Sequence, residues 1–97
     1  MNKIQMNQWG AILTDREFGK TVMMELRPRI DPPVELDFSG VISLGSSFAD
    51  EVIAVIARLQ GNSIFISNAN KPVLACLSQL VKEYGFKMTV APFSAAG

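Results

Sequence analysis

Residues 36–51 of the chain, LDFSGVISLGSSFADE, contain the pattern that decides the fold. The stretch continues an alternating segment that begins at Pro33 and predicts a β-strand with an apolar and an acidic face. The apolar face has Val34, Leu36 and Phe38, and the opposite face has Glu35 and Asp37. Gly40 and Gly45 then interrupt the chain. The serine pair Ser46-Ser47 predicts a helix N-terminus, because serine is a preferred cap.

The sequence on either side of this stretch predicts alternating helices and strands. Thr14 and Glu17 form a capping box that begins a first helix, and Arg27 ends it because the next residue is proline. The second helix runs from the serine pair to Leu59. The remaining predicted elements are a short first strand at 4–7, a central strand at 63–67, a third helix from Pro72 to Gly85 and a last strand at 88–90. Strands separated by helices imply right-handed crossovers. We therefore expect an α/β fold with about four strands in a mostly parallel or mixed sheet and three or four helices.

The composition indicates a binding domain rather than a catalyst. The chain has 97 residues, so we expect one domain over residues 1–97 with a frayed tail at 91–97. Nine basic and nine acidic residues give zero net charge, which argues against a nucleic-acid partner and against an anionic membrane surface. The chain has no histidine, which is the commonest general base, and its one cysteine, Cys76, cannot form an internal disulfide. We therefore expect no enzymatic activity and a cytoplasmic location.

Sequence motifs for cofactors and metals are absent. Neither of the two glycine-rich phosphate-binding fingerprints occurs in the chain. The closest acidic pair is Asp50-Glu51, and adjacent residues of a helix do not converge on one point. We therefore expect no cofactor and no bound metal. The serine pair is different, because it follows the carboxyl end of a strand, where open α/β sheets place their sites, at a helix end that favours an anion.

The central stretch resembles the STAS domain of anti-sigma-factor antagonists. In those proteins a strand that ends Leu-Asp-Leu-Ser-Gly-Val is followed by a short linker and Asp-Ser-Ser-Gly before a helix. Residues 36–41, Leu-Asp-Phe-Ser-Gly-Val, match the first part, and Ser46-Ser47 match the serine pair at the same spacing. The same stretch, with Arg16 and Gly19 ahead of it, is more specifically similar to a STAS-like family of small bacterial proteins. The resemblance covers roughly residues 10–90.

The resemblance implies a phosphoacceptor and a partner-binding surface. In the antagonists the second serine of the pair accepts phosphate from a GHKL-type ATPase that acts as a serine kinase, and it corresponds here to Ser47. The aspartate before the pair and the glycine after it are replaced here by Gly45 and Phe48. The implied partner-binding residues are Ser43, Ser46, Asp50, Glu51, Asn68 and Asn70, with Arg16 near the start of the first helix.

Three functional hypotheses fit the sequence. The first is a non-enzymatic protein–protein interaction module that docks a protein partner and releases it when Ser47 is phosphorylated. The second is a structural or oligomerising subunit of a bacterial signalling or defence assembly, or a homodimer, without a phosphoswitch. Its contact would be an apolar edge strand or the exposed apolar step Val41-Ile42-Leu44. The third is a nucleotide-binding domain that takes a phosphate at the serine pair.

Overall fold

A four-stranded parallel sheet forms the centre of the computed structural model, which describes residues 1–93. The strands of the chain are β1 (Asn2–Gln5), β2 (Ile12–Leu13), β3 (Val34–Asp37), β4 (Ser43–Leu44), β5 (Ser63–Ser67) and β6 (Lys87–Val90). The main sheet has the order β1-β3-β5-β6, and β2 pairs with β4 in a separate two-stranded sheet. Every pairing is parallel. The predicted α/β class, with about four mostly parallel strands, is confirmed.

Three helical segments connect the strands. They are α1 (Arg16–Leu26), the interrupted pair α2 (Ser46–Glu51) and α3 (Ile53–Leu59), and α4 (Lys71–Tyr84). Short 3-10 turns follow β1 and α1, at Met6–Trp9 and Arg27–Arg29. The helices and the strands contribute to one continuous apolar core.

The two faces of the main sheet have different surroundings. The strand register places Ile4, Leu36 and Ile66 in one row across three strands, and all three are buried. The neighbouring row points to the opposite face because side chains alternate along a strand. That row includes exposed Lys3, whose ammonium nitrogen lies 3.6 Å from a carboxylate oxygen of Glu35. The apolar core therefore lies between the first face and the helices.

The first helix begins one residue later than the capping box predicts. Its N-cap is Asp15, whose carboxylate accepts a hydrogen bond from the backbone N–H of Phe18 at 2.8 Å. Thr14 instead packs against Gly45, where an added Cβ would lie 3.0 Å from the Thr14 Cα. The prediction of Thr14 as the cap is therefore wrong, whereas the predicted end of the helix at Arg27 is confirmed.

The β2–β4 pair is missing from the predicted elements. Each of its strands has two residues, which is too short for alternation to be visible in the sequence. Ile12 pairs with Ser43, and Leu13 pairs with Leu44. Both leucines are buried. The β2–β4 pair thus holds residues 43 and 44 beside the segment that leads into α1.

The second helix is interrupted, although the sequence predicts one continuous helix from the serine pair to Leu59. The break lies at Val52, where φ is −115°. The backbone N–H of Val52 still donates to the Phe48 carbonyl, and its own carbonyl accepts from Ile56, so the two parts follow one another closely. Val52 and Ile53 are β-branched and fully buried. Core packing, more than helix propensity, sets the backbone there.

Both ends of the described chain differ from the prediction. The first strand covers Asn2–Gln5 instead of 4–7, because a 3-10 turn follows it. The backbone N–H of Ala91 donates to the Ile66 carbonyl at 2.8 Å, and the Phe93 ring meets the Phe65 ring edge-on at 6.0 Å. Residues 91 and 93 therefore contact β5. The rest of the predicted tail, 94–97, lies outside the described residues.

Candidate functional site

The serine pair occupies the first two positions of α2. The N-cap is Gly45, and no side chain caps the helix, so the prediction that Ser46 or Ser47 is a cap is wrong. Ser46 is exposed and Ser47 is half-buried. Gly45 fits the cap position because Thr14 leaves no room for a side chain there. The two hydroxyls are therefore not used to begin the helix.

Two isoleucines are exposed next to the serines. Ile12 is 66% exposed and pairs in register with Ser43, and Ile42, which precedes Ser43 in the chain, is 64% exposed. We refer to the surface formed by Ile12, Ile42, Ser43, Ser46 and Ser47 as the isoleucine–serine face. Sequence patterns do not identify Ile12 as a site residue, because its two-residue strand carries no periodicity. Within the apolar step predicted as an oligomer contact, Val41 and Leu44 are buried and only Ile42 is exposed.

Three of the predicted partner-binding residues contact one another. Arg16 donates from Nη1 to Glu51 at 2.7 Å and from Nη2 to Asp50 at 3.1 Å. The hydrogen bonds to Glu51 and then to Asp50 raise the pKa of Arg16 above its ordinary value. The approach of α1 to α2 depends on Gly19, where an added Cβ would lie 3.1 Å from the Glu51 Cβ. Arg16, Asp50 and Glu51 thus tie the two helices together.

Asp50 also contacts α4. The Tyr84 hydroxyl donates a hydrogen bond to Asp50 at 3.1 Å, and this bond raises the pKa of Tyr84. The guanidinium of Arg58 lies 5.2 Å from the centre of the Tyr84 ring, in cation–π geometry. Asp50 therefore links α1, α2 and α4, and neither of its carboxylate oxygens is without a hydrogen-bond donor.

Asn70 lies beside the isoleucine–serine face and is held by intramolecular bonds. Its side-chain oxygen caps α4 by accepting from the Val73 N–H at 2.8 Å. Its amide nitrogen donates to the carbonyls of Val41 at 3.3 Å and Ile42 at 3.1 Å. The residue therefore fixes the exposed Ile42 segment against the start of α4.

Asn68 lies in a different place, with Asp37 at the carboxyl ends of β3 and β5. Its backbone is left-handed, with φ of 56°, and its amide donates to Asp37 Oδ1 at 3.0 Å. Asp37 is 4% exposed, although the alternation places it on the acidic face of its strand. Burial raises the pKa of Asp37, but hydrogen bonds from the Ser39 N–H and Asn68 and the charge of Lys3 outweigh it, so the pKa lies below its ordinary value.

The comparison with known proteins decides the family. The sequence profile described as a STAS-like domain of unknown function (DUF4325) matches residues 19–74. The chain belongs to that family. No curated protein and no solved structure matches the chain. The matched segment of this STAS-like domain includes every predicted site residue except Arg16, and it excludes Ile12.

Other chemistry in the STAS-like domain is limited. Among residues 1–93, no cluster of three or more cysteine and acidic side chains could hold a metal ion. None of the helices in that range combines the length and apolar character needed to cross a bilayer. Cys76 on α4 is half-buried, and burial raises the pKa of its thiol. The site is therefore a surface of serines and isoleucines, beside residues whose polar groups bind one another.

Proposed function

We propose that this STAS-like domain is a non-enzymatic protein–protein interaction module whose contact surface is the isoleucine–serine face. The observation that carries the proposal is the exposure of Ile12 and Ile42, at 66% and 64%, beside three serines. The backbone N–H groups of Ile42 and Ser43 both donate to the Ala11 carbonyl, so the segments that carry the two isoleucines are adjacent, and contiguous exposed apolar surface marks interaction sites. Covering one of them fully stabilises a complex by about 1.5–3 kcal/mol. The proposal includes a cytoplasmic location and no cofactor.

We further propose that phosphorylation of Ser47 by a GHKL-type serine kinase reverses this docking. The hydroxyl of Ser47 does not cap α2, so phosphorylation removes no capping bond. A phosphate adds about −1.5 to −2 charges at neutral pH, and the chain has zero net charge. A partner that covers the isoleucines would have to desolvate that charge, which is costly without a paired cation.

The residue that follows the serine pair is compatible with such a switch. The antagonists have glycine there, whereas this chain has Phe48. The Phe48 side chain is fully buried, and its ring lies 6.1 Å from the Phe18 ring of α1. The larger side chain therefore does not cover the outer surface at Ser47.

Binding to a GHKL-type ATPase from the same host, measured by calorimetry, tests the docking. We expect Ser47→Asp and the double variant Ile12→Ser/Ile42→Ser each to weaken binding by at least about tenfold, which is about 1.4 kcal/mol. Ser78→Asp is the matched control because Ser78 is an exposed serine on α4, and it should leave affinity unchanged. Unchanged affinity for Ser47→Asp would contradict the switch, and unchanged affinity for the double variant would contradict the surface.

Phosphotransfer is tested separately by incubating the domain with the same ATPase and Mg-ATP. Intact mass spectrometry should detect one phosphate on the original chain and on Ser46→Ala, and none on Ser47→Ala. A phosphate that persists in Ser47→Ala would reject Ser47 as the acceptor.

The exposed isoleucines also favour a second candidate, a homodimer or oligomerising subunit of a larger assembly. In this case the isoleucine–serine faces of two copies of the chain would pack against each other. Light scattering on a size-exclusion column separates the two candidates. A stable dimer that the Ile12→Ser/Ile42→Ser variant dissociates would favour the subunit, and a monomer would favour the docking module.

A further inference from the structure

A second surface lies between α1 and the α2–α3 pair. A cleft of about 450 Å³ opens there, with three residues of α1 and the following Arg27 on one side and Glu51 and Val55 on the other. The α1 residues are Lys20, Met23 and Met24. We refer to these six residues as the basic groove. The groove lies further along α2 and α3 than the serines, and it shares no residue with the isoleucine–serine face.

The groove has an apolar floor and an exposed apolar edge. Met23 is 6% exposed and belongs to the core, whereas Met24 beside it is 79% exposed. Val55 on the opposite wall is half-buried and packs against the core. Methionine side chains are flexible and polarisable, so they adapt to the shape of a partner. The groove therefore offers apolar contact area that the fold itself leaves uncovered.

The charges at the groove leave a net positive rim. Arg27 pairs with no carboxylate within residues 1–93, and Lys20 has one exposed pair with Glu17 at 3.4 Å, a kind of pair that contributes little to stability. The carboxylate of Glu51 already accepts from Arg16 at 2.7 Å. The acidic group in the groove is thus neutralised inside the fold, while the cations remain available to a partner.

We infer that the basic groove binds an acidic amphipathic helix from a partner protein. Lys20 lies on α1 and Arg27 follows its last residue with a helical backbone, seven residues on, which places them about 10 Å apart along the axis at about 1.5 Å per residue. A helix lying along α1 can present carboxylates two turns apart to these cations. An apolar side chain between those carboxylates would contact Met24 and Val55. This surface is additional to the isoleucine–serine face.

A protein helix fits the groove better than an anionic membrane does. Adsorption to anionic lipid generally uses clusters of about four to eight basic residues, and the groove has two. A concave apolar floor between cations also suits one inserted side chain of a helix, as in helix-in-groove recognition. Binding to phosphatidylserine vesicles is therefore measured as the alternative to binding of a helical peptide.

The probe is a synthetic helical peptide with leucines at helical spacing flanked by glutamates, titrated against the intact chain by fluorescence anisotropy. We expect binding that Lys20→Glu/Arg27→Glu weakens by at least about tenfold. The matched control is Lys71→Glu/Lys82→Glu, which makes the same change in net charge at two exposed residues of α4, and it should bind like the original chain. Methyl-labelled Met23 and Met24 should shift on titration, and a peptide with lysines in place of glutamates should not bind.

Several outcomes would overturn the groove proposal. These are absence of peptide binding, equal weakening by the two charge-reversal variants, unshifted methionine methyl signals, or binding to phosphatidylserine vesicles but not to the peptide. If the groove variant fails to fold by circular dichroism, Lys20→Gln/Arg27→Gln replaces it with the same expected direction. None of these measurements uses the serines, so a failure here is distinct from a failure of the Ser47 switch.

Discussion

The two ends of α2 differ in what their side chains contact. At the first end, Ser46 and Ser47 leave the helix uncapped and follow β4, which pairs with the strand of exposed Ile12. At the other end, Asp50 and Glu51 accept hydrogen bonds from Arg16 at 3.1 and 2.7 Å. One end of a six-residue helix is thus available to a partner, while the other is tied to the body of the domain. Changes at the first end should alter binding, and changes at the second should alter stability.

The contacts that hold Asp50 and Glu51 to α1 matter because α2 is short. A helix of six residues is too short to be stable alone and depends on tertiary packing. Phe48 and Ala49 provide that packing and are fully buried, and Gly19 lets α1 approach closely enough to cover them. The serine side chains need not cap the helix because the following residues and the Gly45 N–H, which donates to the Leu13 carbonyl, hold it.

The largest expected effect separates the neighbouring residues Ser47 and Phe48. Phe48→Ala removes a fully buried ring and should lower the free energy of unfolding by about 3–5 kcal/mol, because it leaves a cavity between α1 and α2. Ser47→Ala removes a hydroxyl that caps nothing and should change it by less than about 0.5 kcal/mol. Urea denaturation followed by circular dichroism measures both values.

Phe18→Ala is the matched control for the ring deletion. Phe18 meets the Phe48 ring at 6.1 Å, but it is 38% exposed, so its loss should cost clearly less. A loss for Ser47→Ala comparable to that for Phe48→Ala would place the serine in the framework of the domain and remove the distinction between the two ends of α2.

The fold was largely predictable because its long elements carry strong local signals. Alternation identifies β3, and the break at Gly85 marks the end of α4, where φ is 72°. The β2–β4 pair was not predictable, since it depends on a long-range contact between two-residue strands. The cap of α1 was assigned to Thr14 instead of Asp15 because both residue types cap well, and only the packing of Thr14 against Gly45 separates them.

The candidate site was predictable in part, for a related reason. The serines follow from a local motif, but the exposure of Ile12 depends on which side of the β2–β4 pair faces the core. The sequence does not distinguish a polar residue that contacts a partner from one that hydrogen-bonds within the domain, since both follow a strand. Asn68 and Asn70 are examples, since one donates to Asp37 and the other to two backbone carbonyls.

The next test uses Asn70, because it connects the exposed Ile42 segment to the start of α4. Asn70→Ala removes the cap of α4 and two donors to the Ile42 segment, and should cost about 1–2 kcal/mol of unfolding free energy. Asn70→Asp keeps the capping oxygen but places a carboxylate oxygen against the two carbonyl oxygens, so it should disturb residues 41–44 at least as much as Asn70→Ala. Hydrogen exchange should accelerate at residues 41–44 in both variants.

Asn70→Ser separates the two roles, since serine caps the helix but cannot reach two carbonyls as an amide does. We expect it to match Asn70→Ala in exchange at residues 41–44 while it retains the cap of α4. Unchanged exchange there in all three variants would mean that the β2–β4 pairing alone holds the exposed Ile42 segment.

The smallest expected effect concerns Asp37, a polar residue fully engaged within the fold and remote from the serines. Its pKa is lower in the folded chain than its ordinary value, so the carboxylate contributes stability above about pH 4, and this contribution is lost as the pH falls through the folded pKa. Asp37→Asn should therefore be less stable than the original chain at neutral pH, and the difference should shrink as the pH falls below about 4. Urea denaturation across this range measures it, with exposed Asp31→Asn as the control. A difference that stays constant with pH would show that the side chain acts by shape alone and that its charge, unlike those of Asp50 and Glu51, ties nothing together.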